Sequence, residues 1–257
     1  MSDPVLQQLV EMSRYLGDPS KTYAILGEGN TSARIDEDTF YIKASGTSLS
    51  TIDADGFVAV SVSKALAMLE DPGTSDATMT EGLMAALVDA RETRRPSAEV
   101  MFHAFFYTFP EYCFAGHTHP VFTNMLLCSK QAKEWAAGRI YPDHVVVMGH
   151  KSVYIPYIDP GVVRVREMRK QIEWFLRDEA ELPRAIMMQN HGLIAVGDSA
   201  HTVTSVTDMA EKAAQIIMGS AALGGPEFMS QKDVTRIHVR TRLGNGPPGA
   251  STPVTLW

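Results

Sequence analysis

A His-x-His pair at the end of an apolar run most constrains what this chain can become. His117 and His119 stand in CFAGHTHP, and His191 stands in MMQNHGLIAVG. Side chains on a strand alternate with a period of two, so His117 and His119 share a face with alpha carbons about 6–7 Å apart. His191 opens a second apolar, strand-like run. For the three imidazoles to close on one cation, two strands far apart in sequence must meet. Three neutral ligands leave a divalent metal its full charge and an open position, the plan of a catalytic rather than a structural zinc site. The pattern predicts a Lewis-acid centre. Core histidines held by hydrogen bonds are the competing reading, and this spacing fits it less well.

The rest of the chain reads as short strands among helices. Asp3 and Pro4 read as N-cap and first helical residue, with a stripe of Leu6, Leu9, Val10 and Leu16 ending at Gly17. ARI, FYIKAS and FVAVSVS read as strands, split by the turns IDEDT and DADG. Residues 80–94 and 98–108 read as helices on either side of Pro96 and Ser97. CFAGH is a buried strand feeding a helix from Pro120 to about Cys128, and HVVVMG and SVYIPY read as strands. Residues 161–178 form an amphipathic helix carrying Val165, Met168, Ile172 and Phe175. RAIMMQ and GLIAVG pair around Asn190-His191-Gly192, and residues 199–222 form the longest helix. No repeat, linker or composition break appears. Residues 1–257 are therefore expected as a single α/β domain, with an irregular C-terminal tail from about 226.

A net charge of −7 argues against a nucleic-acid binder, which needs a basic face. Cys113 and Cys128 sit in apolar segments without metal-ligand spacing, so buried free thiols are expected. The start lacks the basic region and long apolar core of a signal peptide, and no run reaches membrane-spanning length. A cytoplasmic protein with neither membrane nor nucleic-acid partner is expected.

Three further segments could serve the histidines. In Gly27-Glu28-Gly29-Asn30-Thr31-Ser32, two glycines let backbone amides approach an anion, or simply make a turn. No Gly-Lys-Ser/Thr closes it as a Walker A loop. Lys43-Ala44-Ser45-Gly46-Thr47 ends a strand with hydroxyls, a glycine amide and a lysine suited to phosphate or carboxylate, although a plain turn has the same composition. In Pro96-Ser97-Ala98-Glu99, Ser97 is a good N-cap and Glu99 a first-turn carboxylate favoured by the helix dipole. The alternative for Glu99 is a carboxylate beside a metal, poised for proton transfer. His103 lies four residues on, and reads as a packed helix histidine or a support to the site. His144, His150, His201 and His238 lack comparable company.

Taken in order, GEGNTS, KASG, PSAE, HTH and NHG resemble the class II aldolase/adducin family, including its fuculose-1-phosphate and rhamnulose-1-phosphate aldolases, from about residue 5 to 220. The resemblance implies an α/β fold, three-layer α/β/α, with a central, mostly antiparallel sheet flanked by helices. It implies homotetramers with sites at subunit borders. Residue by residue, it implies His117, His119 and His191 as ligands of Zn2+, with Mn2+ or Co2+ as alternatives. It implies Glu99 as acid/base, and Gly29, Asn30, Ser45, Gly46 and Ser97 as a substrate or phosphate cradle. Ala98 departs from the pattern, because family aldolases commonly carry a second serine there. That departure points toward a carboxylate or an unphosphorylated hydroxy-ketone, with Lys43 able to compensate by charge. Family aldolases also borrow a tyrosine from a neighbouring subunit, for which Tyr141, Tyr154 and Tyr157 are the candidates.

The expected function is a metal-dependent aldolase, a carbon–carbon lyase of carbohydrate metabolism. It would cleave a hydroxy-ketone, sugar-phosphate or hydroxy-keto-acid by retro-aldol reaction through a metal-bound enediolate. Epimerisation, dehydration or decarboxylation from the same enediolate is the alternative within enzymes. A non-catalytic adducin-like binding protein is the alternative outside them.

Overall fold

The computed structural model describes residues 3–71 and 76–243. Asp3 caps α1 (Pro4–Leu16) by accepting from the Val5 amide, with Pro4 at the first helical position. The strands β1 (Asn30–Arg34), β2 (Thr39–Lys43) and β3 (Phe57–Ser61) follow, then α2 (Val62–Glu70), α3 (Asp76–Ala85) and α4 (Val100–Phe106). Next come β4 (Phe114–Thr118), α5 (Val121–Leu127), α6 (Ala132–Ala137), α7 (Pro142–Met148), β5 (Val153–Ile155) and α8 (Val162–Glu179). The chain then runs through β6 (Ala185–Met188), β7 (Gly192–Gly197), α9 (Ala200–Ser220) and α10 (Gln231–Arg242).

The seven strands form one sheet in the order β3-β2-β1-β4-β7-β6-β5. Every pairing is antiparallel except β5 with β6. Both faces are covered, so β4, β6 and β7 are buried along their whole length. Alternation divides them between two cores. Ile194 and Val196 join Ile186 and Met188 on the face covered by α2, α3, α4 and α8. Leu193 and Ala195 join Ala185 and Met187 on the face covered by α1, α5, α6, α7 and α9. This is the expected three-layer α/β/α arrangement around a mostly antiparallel sheet.

Several local expectations are corrected. HVVVMG lies in α7, because Pro142 presets the first turn and Gly149, at φ +79°, ends it; both outweigh the β-branched run Val145–Val147. The expected strand FVAVSVS stops at Ser61, whose hydroxyl accepts from the Lys64 amide and starts α2. The helix expected over 80–94 ends at Ala85; Leu87 then bridges back to Val60. The tail expected to be irregular from about 226 carries α10, capped by Ser230. The Gly/Pro-rich stretch from 244 lies outside the described residues. Both cysteines are free, but neither is fully buried as expected: Cys113 is half-buried and Cys128 exposed.

Candidate metal centre and anion loops

The centre forms where β1, β4 and β7 meet. Asn30 pairs with His117 across β1 and β4, and His117 pairs with Ile194 across β4 and β7. His119 lies just beyond β4, its amide donating to the Tyr23 carbonyl. His191 sits in the turn between β6 and β7, after Asn190 in left-handed conformation at φ +55°. Asn124 donates to the His191 carbonyl at 3.0 Å and ties that turn to α5.

The three Nε2 atoms converge. His117 Nε2 is 2.9 Å from His191 Nε2 and 3.0 Å from His119 Nε2. Gly192 permits this packing, since a Cβ there would fall 2.6 Å from His119 Cδ2, 2.6 Å from the Thr118 carbonyl and 3.1 Å from His117 Cε1. Burial pushes the pKa of His117 well below the ordinary histidine range, and that of His191 down to about 3. Both imidazoles are neutral at pH 7.

The chemistry of this donor set fits a divalent cation. His117 donates from Nδ1 to the Leu193 carbonyl at 2.9 Å, which fixes its tautomer and turns a lone pair on Nε2 toward the other two rings. A tetrahedral zinc with bonds of about 2.0–2.1 Å spaces its ligand atoms roughly 3.3 Å apart, so the nitrogens need part by only a few tenths of an ångström. His191 carries a competing contact: Arg164 Nη1 lies 2.5 Å from its Nδ1. A guanidinium only donates, so this contact puts the His191 proton on Nε2. A cation at that Nε2 needs the other tautomer, and its binding leaves Arg164 to Glu99.

Glu99 stands beside the trio. Its Oε2 is 3.4 Å from His117 Nε2 and its Oε1 is 3.6 Å from His191 Nε2. Asn30 Nδ2 donates to Oε2 at 2.7 Å, and Arg164 Nη2 donates to Oε1 at 2.7 Å. Glu99 precedes α4, and its amide donates to Ser97 Oγ at 3.3 Å. The N-cap expected at Ser97 is therefore taken by Glu99, whose side chain faces the histidines instead of capping.

Behind Asn30 runs a buried chain of donors. Tyr107 OH lies 2.6 Å from Ser32 Oγ, Ser32 Oγ 2.6 Å from His103 Nδ1, and His103 Nε2 2.5 Å from Asn30 Oδ1. Asn30 must present its carbonyl to His103, because its amide nitrogen faces the Glu99 carboxylate. The remaining assignments follow, and every donor points toward Glu99. Burial holds the His103 pKa down to about 3, so the ring is neutral. His103 thus acts as a support to the site, and Asn30, expected in the anion cradle, has both amide ends engaged and is 5% exposed.

The two anion loops lie against each other. Ser45 donates its amide to the Arg95 carbonyl, Ser97 donates its amide to the Lys43 carbonyl, and Ala44 bridges to Pro96. Arg95 Nη2 donates to Ser45 Oγ at 2.9 Å. Gly46 is at φ +87°, and Gly29, at φ +68°, has the His117 carbonyl 2.6 Å from where its Cβ would be. Burial pulls the Lys43 ammonium below the ordinary lysine range, against the attraction of Glu99. Of the candidate tyrosines, Tyr141 bonds Met209 and Tyr154 bonds Gln189, whereas Tyr157 is 55% exposed and bonds Asp159.

Arg164 escaped the sequence reading. It lies on the buried stripe of α8 with Val165, Met168 and Ile172. A charged residue on that stripe was the available signal. Its Nε has no hydrogen-bond partner among the described residues.

Comparison with known proteins agrees with this architecture. The chain is 23% identical over 195 residues to 3-oxo-tetronate 4-phosphate decarboxylase of Haemophilus influenzae, covering 76% of this chain and 78% of that protein. The fold is similar to the N-terminal class II aldolase domain of a conserved Thermoplasma acidophilum protein (TM-score 0.67, 24% identity, 85% of this chain and 95% of that one). It is also similar to L-fuculose 1-phosphate aldolase of Glaciozyma antarctica PI12 (TM-score 0.65, 15% identity, 92% of this chain and 81% of that one). Residues 7–218 match the family described as Class II Aldolase and Adducin N-terminal domain, and the chain belongs to that family.

Proposed function

We propose that the chain is a divalent-metal-dependent, aldolase-type carbon–carbon lyase that cleaves a hydroxy-ketone, sugar-phosphate or hydroxy-keto-acid by retro-aldol reaction. The observation that carries this reading is Glu99, a carboxylate held 3.4 and 3.6 Å from two converging imidazole nitrogens by donors on both sides. His117, His119 and His191 hold the cation, Zn2+ first, with Mn2+ and Co2+ also accepted by imidazole. Bound there, the cation supplies Lewis-acid polarisation of a carbonyl and stabilises developing negative charge. Glu99 moves a proton to or from the carbanion carbon. Gly29, Ser45, Gly46 and Ser97 offer amides and hydroxyls to the substrate's anionic end, and Lys43 adds charge. Leu26 and Ile25 are 84% and 55% exposed on the loop whose Glu28 lies 3.7 Å from His119, which suits cover by a neighbouring subunit; the homotetramer itself rests on the family resemblance. Such an enzyme would work in the cytoplasm.

Decarboxylation is the second reading: a keto acid loses carbon dioxide, the electron pair of the broken bond forms the enediolate, and a proton then quenches it. Arg164 supports this reading, as a guanidinium buried beside Glu99 suits a substrate carboxylate. The name of the Haemophilus influenzae relative points the same way.

The test is metal content per subunit, followed by product analysis by NMR with sugar phosphates and hydroxy-keto acids, before and after chelation. Chelator-sensitive cleavage to two carbon fragments supports the lyase. Release of carbon dioxide moves the assignment to a decarboxylase. Glu99→Gln should keep the metal and lose about 10²–10⁴-fold in turnover. Full turnover in that variant removes Glu99 from the reaction.

A further inference from the structure

Among the described residues, a second group of metal-ligating side chains closes at the far end of α8. His150 follows α7, Glu181 follows α8 and His238 lies on α10. One ligand atom from each lies within 4.8 Å of the others. His150 Nε2 is 2.7 Å from Glu179 Oε2, and His150 Nδ1 is 2.6 Å from Glu181 Oε1. The other Glu181 oxygen is 2.8 Å from His238 Nε2.

The arrangement holds an unresolved contact. A neutral imidazole has one N–H and one lone pair. With the ring neutral, donation from Nε2 to Glu179 leaves the His150 lone pair on Nδ1, buried 2.6 Å from Glu181 Oε1, whereas a ring protonated on both nitrogens donates to both carboxylates. Two bare acceptors at that distance repel, so a proton or a cation belongs among them. The carboxylates are also oriented, unlike those of an acidic surface patch. Lys151 engages Glu179, and Arg242 Nη1 is 3.3 Å from Glu181 Oε2.

We propose that His150, Glu181 and His238 bind a second divalent metal ion of zinc type, separate from the His117 trio. Two imidazoles and a carboxylate form a ligand set that zinc accepts. Glu179 then serves as the outer carboxylate that fixes the His150 tautomer, the common partner of a metal-bound histidine. Glu181 and His238 line a cavity of about 670 Å³ with Tyr112, Phe175 and Leu182, which gives an ion its path from solvent. The ion clips α10 to the end of α8 and the segment before β5. The site does not depend on the proposed reaction.

The experiment is zinc stoichiometry of the full chain after loading and desalting, with hydrogen exchange of α10 on the same samples. The wild type is expected to hold two zinc ions per subunit, and His238→Ala and Glu181→Gln one each. His191→Ala keeps the ion at this site and loses the other, so the two readings fail separately. Zinc added to metal-free wild type is expected to slow exchange in α10, and His238→Ala to abolish that slowing. An unchanged zinc count in both His238→Ala and Glu181→Gln overturns the proposal. So does α10 exchange that is indifferent to zinc in the wild type, a measurement that needs no variant to fold. Either result leaves the cluster as a network of ion pairs.

Discussion

Glycine at position 192 is the smallest residue in the centre and among the least replaceable. A methyl group there meets two histidine rings and a carbonyl at 2.6–3.1 Å. Gly192→Ala should therefore lower stability by about 1–3 kcal/mol and drive the histidines apart. Retained tight zinc at the trio, read by competition with a chelator, would show that the rings can yield. His103 makes a prediction about pH. Its pKa of about 3 when folded, against about 6.5 unfolded, means that the unfolded chain binds a proton first as the medium becomes acidic. The His103 contribution is complete above pH 6.5 and fades as pH falls toward 3. His103→Gln should flatten that part of the stability curve, checked by urea unfolding across pH 7 to 4. The histidine trio was legible in the HTH and NHG segments, and Glu99 only through the order of motifs that resembles the family, since the residues alone left it as a helix-start carboxylate. Arg164 and the donor chain behind Asn30 were not legible, because they depend on which helix crosses which strand.

Helix α10 shows how an element can evade its own sequence. Val234 and Thr241 are its buried residues, so its apolar stripe is too thin to stand out beside the glycines and prolines that follow. Its start rests on Ser230, whose hydroxyl accepts from the Asp233 amide at 3.2 Å. Ser230→Ala should cost about 0.5–2 kcal/mol locally and speed hydrogen exchange in α10 while leaving that of β4 and β7 unchanged. Acceleration across the sheet would mean that α10 is coupled to the whole fold. α7 teaches the opposite lesson. Three valines in a row argue for a strand, but one proline at the first turn and a glycine at positive φ at the end decide for a helix. Strands β4, β6 and β7 were readable because they are buried on both faces and leave little room for rival periodicities.

Metal removal should act on the whole fold, since the trio joins segments from both halves of the chain. An ion that binds only the folded form at 100 times its Kd adds about 2.7 kcal/mol. Chelation should lower the Tm of the wild type by several degrees and change that of His191→Ala less. Equal shifts in both would place the stabilising ion elsewhere. The sheet's order adds a consequence for synthesis. Its central strands come from residues 30–34, 114–118 and 192–197, so neighbours in space arrive at widely separated times on the ribosome. A nascent chain that has emerged only as far as α8 carries His117 and His119 beside an unpaired edge of β4, with two thirds of a ligand set and nothing to complete it. A cation held by the trio would therefore have to wait for translation to pass His191, and chains terminated before it would lack the third ligand.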